Sequence, residues 1–276
     1  MAGVKAPPKP ISWPGGRLVE GLPLGLGLLV LLYFALPVVA ILWFGLSFET
    51  LGALGEPPVL AALGLTAFTT LIVVVAALAA GTPLAYLLAR REFRGKAVVE
   101  ALVELPVALP PVVAGVALLM VFGRRGLFGP LLEQLGLILS FSTAAVVMAQ
   151  FFVGAPFYIR AAALGFRTVP REVEEAAAVD GATPWQTFCH VTFPIALPGI
   201  LSGLLLCGTR AAAEFGATLM FAGNFPGRTQ TLTLAVYTAM ESSLSRALAL
   251  SVLLVLMALG VVVGARLLLG REQVSA

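Results

Sequence analysis

From Leu24 to Leu46 the chain carries no charged side chain. At about 1.5 Å per residue, a helix over this stretch covers roughly 34 Å and crosses the hydrocarbon of a bilayer. Any irregular backbone exposed to lipid would leave N–H and C=O groups unpaired, so the stretch has to be helical. Comparable runs recur near 60–88, 102–122, 143–164, 198–221 and 247–269, with a weaker one at 229–240. Only 11% of the residues are charged, against about 25% in a soluble domain. The sequence therefore predicts an all-α integral membrane protein with about six transmembrane helices. The first run continues past the small residues of Ala35–Ala40 and is too long for the core of a cleaved signal peptide.

The remaining sequence divides around these spans. Residues 1–22, with Lys5, Lys9 and Arg17 among prolines and glycines, read as a short leader. Residues 23–59 form the first helix and its outer loop, 60–270 the main membrane domain, and 271–276 a polar tail. With the N-terminus inside, Lys5, Lys9, Arg17, Arg90, Arg91, Arg94, Lys96, Arg160, Arg167, Arg171, Arg266 and Arg271 lie on the inner side. Arg124, Arg125, Arg228 and Arg246 lie outside, and this bias predicts both termini in the cytoplasm. Glu100 and Glu104 are expected within reach of the basic loop Arg90–Lys96. The third span contains Pro106 and the pair Pro110-Pro111, which must distort it and free carbonyls. Such irregularity is tolerated where it faces protein or water, so either a simple kink or a pathway lining follows. Cys189 and Cys207 have no metal-ligand spacing, and a single histidine, His190, argues against a His-based metal or catalytic site.

The longest polar interruption occupies 165–198 and faces the cytoplasm by the same charge bias. It reads as two short helices. Pro170 starts the first, and Glu172, Glu174 and Glu175 face the positive end of its dipole. Gly181, after Asp180, can take the left-handed conformation that ends it. Thr183 and Gln186 then form a capping box for the second.

Within this stretch Glu175-Ala176-Ala177, Gly181 and Val191-Thr192-Phe193-Pro194 are spaced as in the EAA signature, and the segment resembles that of ABC importer permeases. The resemblance implies a type I ABC importer permease fold, in which this loop forms coupling helices that dock on a cytoplasmic ATPase. It assigns that contact to Glu175, Ala176, Ala177, Asp180, Gly181 and Pro194. Val191 and Phe193 stand where the family usually has isoleucine and leucine. A second stretch, Arg210-Ala211-Ala212-Ala213-Glu214-Phe215-Gly216-Ala217-Thr218, followed by Asn224-Phe225-Pro226-Gly227-Arg228-Thr229-Gln230-Thr231, resembles oxyanion permeases, and among them those for molybdate and tungstate. It implies three partners: a dimer of ABC ATPases, a second copy of the permease, and an extracytoplasmic substrate-binding protein. No cofactor binds this chain, and ATP and Mg belong to the ATPase. Nucleic acid is not an expected partner.

The candidate pathway residues are Pro110, Pro111, Thr209, Arg210, Glu214, Phe215, Gly216, Thr218 and Asn224. Arg210 and Glu214 are four apart and can pair, and ionisable groups inside a span default to a functional role. The competing reading is a self-neutralising pair that locks helix packing. Phe215 and Met220 are apolar enough to close a path by dewetting. Driving a dianion into a cell against 100 mV costs about 4.6 kcal/mol before any concentration gradient. The sequence lacks a G-x-x-x-x-G-K-[ST] phosphate loop, so the engine must be another polypeptide. Sulfate or thiosulfate is the alternative cargo. A proton-coupled carrier would need several mid-span carboxylates where only Glu214 is clear, and no constellation suits an intramembrane enzyme.

Overall fold

The computed structural model describes residues 16–46, 52 and 54–270, and within these every regular element is helical. Helix α1 (Gly16–Gly45) already begins inside the expected leader. Lys5, Lys9, Arg271 and the tail lie outside the described residues. Helix α2 (Pro57–Ala76) passes through a π turn at Ala77–Gly81 into α3 (Thr82–Arg90), and the three form one continuous rod. Thr66 and Thr69 bond back to the carbonyls of Ala62 and Leu65, so their hydroxyls cost nothing inside the span.

The expected third span is not one helix. It is α4 (Lys96–Ala108) and α5 (Pro111–Phe122), bent by 118°. Leu109 and Pro110 each precede a proline, whose ring pushes the preceding residue out of helical space, and both are extended, with ψ of 138° and 136°. One proline kinks a helix; two in succession break it. Among the described residues five helices are long and apolar enough to cross a membrane, or six if the bent pair counts as one span.

Helix α6 (Gly129–Gln134) precedes α7 (Thr143–Arg167), which is capped by Ser142 accepting from the Ala145 amide at 3.2 Å. Helices α8 (Arg171–Val179) and α9 (Pro184–Thr187) make up the polar interruption. A second π turn, Phe188–Thr192, joins α9 to α10 (Phe193–Ala212). The fifth span thus begins at Pro184, well before the expected Pro198, and ends at Ala212 instead of Phe221. The remainder is α11 (Gly216–Ala222), α12 (Leu232–Met240) and α13 (Leu244–Gly270).

Helix α7 is the axis of the bundle, with α10 laid along it. A Cβ on Gly199 of α10 would stand 2.6 Å from the Cα of Gly165 on α7, so the two backbones touch. In lipid, where apolar side chains gain little by leaving their surroundings, such close approach of small residues is what holds helices together. Tyr158 of α7 is buried between α3 and α10 and shares a hydrogen bond with Thr82. Helix α1 stands apart, packed mainly on α13.

Polar contacts separate the two ends of the bundle. Arg90 pairs with Glu174, and Arg167 with Glu100, at the basic end. Arg246 pairs with Glu56, and Thr143 donates to the Arg228 carbonyl, at the opposite end. Glu100 and Glu104 do not meet the basic loop as expected. They face Arg167 and Arg160 of α7, because α4 rises antiparallel to that helix. Within the loop Lys96 donates to Glu92 at 2.6 Å, and this bond, then the ammonium charge, hold the Glu92 carboxyl below its ordinary pKa.

Candidate functional site

The polar loop folds as its capping residues require. Glu172 and Glu174 occupy the first turn of α8, and Gly181 ends the helix with φ of 89°. A side chain at that φ would be strained, which is why glycine stands there. Thr183 and Gln186 form the reciprocal capping box at α9. Removing it by Thr183→Ala should cost about 1 kcal/mol of local stability. Amide exchange at Gln186 and Thr187 should then quicken while the melting temperature of the bundle stays constant.

One side of this loop is bolted to the bundle. Glu174 accepts from Arg90 Nη2 at 3.0 Å and from Thr192 Oγ1 at 2.6 Å, and Arg90 also donates to the Val169 carbonyl. Both charged side chains are more than four-fifths buried. Beside them Phe188 packs edge-on against Tyr86 and beneath Trp185, and Tyr86 meets Phe166. The other side is free. Glu175, Ala176, Ala178 and Asp180 are exposed, and so are Val179 at 87% and Trp185 at 72%. Pro194, in the first turn of α10, is exposed as well. Ala177 differs from its neighbours: it is half-buried on the stripe of Glu174, since residues three apart share a face. Sequence reasoning overlooked the Glu174–Arg90 bolt and the apolar tips Val179 and Trp185. Three glutamates in four positions offer no local signal of which one turns inward.

The second group of candidate residues surrounds two short helices. Helices α5 and α11 meet where a Cβ on Gly115 would stand 2.7 Å from the Met220 Cβ, and one on Gly216 would stand 2.8 Å from the Pro111 Cβ. Pro110 and Pro111 are exposed at the start of α5. Arg210 lies in the last turn of α10 and Glu214 just beyond its end, so they do not share a helix, yet they pair at 2.8 Å. Glu214 is fully buried and accepts from the Ala217 amide at 2.8 Å, while its carbonyl accepts from Thr233 at 2.7 Å. The carboxylate thus ties α10 to α11 and the backbone carbonyl ties in α12, which is the packing arrangement that competes with a pathway role.

The other candidates make local contacts or are enclosed, and Thr209 also lines a cavity beside α13. Thr209 donates to the Leu205 carbonyl, Asn224 bonds Thr238 and Gln230, and Phe215 leans on Tyr237. Thr218 is fully buried, so its hydroxyl does not front open space in this conformation.

The family model described as "Binding-protein-dependent transport system inner membrane component" matches residues 81–268, which include both groups. The chain belongs to that family. This permease is 45% identical over 194 residues to the molybdenum transport system permease protein ModB of Mycobacterium tuberculosis, covering 70% of this chain and 74% of that one. It is 39% identical over 206 residues to Sulfate permease 2, chloroplastic, of Chlamydomonas reinhardtii, covering 74% and 56%. Among solved structures, it resembles a chain of a bacterial ABC transporter involved in the import of the acidic polysaccharide alginate. The TM-score is 0.73 with 16% identity, over 92% of this permease and 96% of that chain. The fold is that of an ABC importer permease, as the resemblance of the coupling loop implied.

Proposed function

We propose that this permease is the membrane-spanning subunit of an ATP-driven importer that carries molybdate or tungstate into the cytoplasm by alternating access. The observation that carries the reading is the two-sided polar loop. Its inner side is held by Glu174, Arg90 and Phe188, and its outer side offers Glu175, Val179 and Trp185 to a partner. A loop fixed on one side and free on the other transmits a push from outside to the spans. The partners are a dimer of cytoplasmic ATPases that hold ATP and Mg, a second copy of this chain, and an extracytoplasmic binding protein. Both termini face the cytoplasm in this arrangement.

The oxyanion assignment is supported by the 210–231 motif and by the relatives named for molybdenum transport. Sulfate is the second reading, favoured by the likeness to a sulfate permease. A proton-coupled carrier has little support, since the one clear mid-span carboxylate, Glu214, is paired with Arg210 and accepts from the Ala217 amide.

The test is uptake into vesicles containing the reconstituted permease, ATPase and binding protein. Molybdate should accumulate only with ATP inside the ATPase compartment, and the binding protein should bind molybdate far more tightly than sulfate. Uptake without ATP sinks the importer reading. Tight sulfate binding with no response to molybdate sinks the cargo alone.

A further inference from the structure

A groove of about 710 Å³ runs between α4 and α7 at the basic end of the bundle. Its polar lining consists of Glu100 and Glu104 from α4 and Arg160 and Arg167 from α7. They form two rungs, Arg160–Glu104 at 3.5 Å and Arg167–Glu100 at 3.2 Å. The arginines are seven residues apart, which on a helix separates the rungs by about 10 Å. All four side chains are substantially open, from 40% for Glu100 to 61% for Arg160.

The Arg160–Glu104 rung lies about 10 Å in from the helix ends, too deep for its charges to reach the interface. Charged groups at such depth face the bundle interior or a water-filled cavity, which makes the groove a wet one. Its arginines are also loosely held. Half-exposed pairs of this kind contribute only about 0–1 kcal/mol, so an incoming anion can displace the carboxylates. A guanidinium presents paired donors that match two oxygens of a tetrahedral oxyanion, a fit no lysine reproduces. The carboxylates remain beside the bound anion and compete for the same donors. A conducting site needs that balance, because a bare pair of arginines would hold a dianion too firmly to release it. Arg167 is also the last residue of α7, directly before the turn into α8, so the groove and the coupling loop share a backbone.

We propose that Arg160 and Arg167 are the inner stations of the translocation path, receiving the tetrahedral dianion in turn while Glu104 and Glu100 displace it towards the cytoplasm. The proposal rests on the oxyanion-importer reading and places the polar part of the path away from Thr209, Thr218 and Asn224. Phosphate headgroups of lipids share the chemistry of the cargo, and the test separates them.

The experiment uses the complete reconstituted transporter in phosphatidylcholine vesicles. The variant carries Arg160→Gln with Glu104→Gln and Arg167→Gln with Glu100→Gln, leaving no charge orphaned. Melting temperature and binding-protein-stimulated ATP hydrolysis should match the parent, while molybdate taken up per ATP should fall about tenfold for the lost charge-assisted contacts. Parental uptake in this variant overturns the proposal. So does a defect that appears only when phosphatidylglycerol is added, since the arginines would then be holding headgroups. If the quadruple variant does not assemble, Arg160→Lys decides. It keeps the charge and the partner but loses the paired donors, so uptake per ATP should fall with ATP hydrolysis intact, and parental uptake refutes the station. Should the parent carry sulfate and not molybdate, the cargo assignment fails, and the same variants assayed with sulfate still test the groove.

Discussion

Glu174→Ala is expected to disconnect the permease from its ATPase. The substitution leaves Arg90, whose side chain is only 10% exposed, with the Val169 carbonyl alone, and releases Thr192 as well. Removing one partner of a buried pair costs about 3 kcal/mol, because the remaining charge is not rehydrated. As a bias on loop position, that is a drop of about a hundredfold in the held population. Binding-protein-stimulated ATP hydrolysis and ATP-driven uptake should both fall by a comparable factor, while the helix content and melting of the membrane bundle change little. Glu175 is exposed on the free side, so Glu175→Ala should leave the loop in place, whereas Glu175→Lys should damage docking by reversing a contact charge. Normal coupling in the Glu174→Ala protein would show that the bolt does not hold the loop.

Gly199→Leu is expected to prevent stable folding. Already the first carbon of the new side chain would lie 2.6 Å from the Gly165 Cα and 3.1 Å from the Ala161 carbonyl. These are backbone atoms and cannot rotate away. Overpacking a core costs about 1–3 kcal/mol when side chains can yield, and more where they cannot. The α7–α10 contact is the most extensive in the bundle, so the penalty falls on the whole fold. Thermal aggregation in detergent should shift down by many degrees, with Gly199→Ala intermediate. Gly25→Ala on α1, which meets no atom within 4 Å, should be silent. Equal melting of the Gly199→Leu and Gly25→Ala proteins would contradict the close-packed axis.

Much of the architecture was legible because local chemistry dictates it. Hydrocarbon demands internally bonded backbone, so apolar length predicts helices with little error. The cap at Thr183, the left-handed turn at Gly181 and the separation of the polar loop from the spans follow from individual residues and were read correctly. The differences lie in medium-range backbone consequences and in long-range pairs such as Arg167–Glu100. Pro110-Pro111 reads in the sequence as a distortion within one span, whereas two successive pre-proline residues, Leu109 and Pro110, both extended, break it into two helices. The start of the fifth span falls at 184 because the π turn at Phe188–Thr192 carries the helix through a segment that looks like a break, and its end falls at 212 because the chain leaves the helix before α11 begins at Gly216.

By itself the sequence determined that the chain crosses a membrane in about six helical passes, that its basic residues gather at one end, and that a two-helix polar loop with the EAA spacing projects from that end. Each follows from the solvation or backbone preference of residues near one another in the chain. Only the tertiary structure decided which glutamate holds that loop, which carboxylates face Arg160 and Arg167, and that Glu214 is enclosed. Those outcomes depend on how the helices are rotated and staggered, and for α7 against α10 that register is set by close contacts such as Gly165 against Gly199, between residues far apart in the chain.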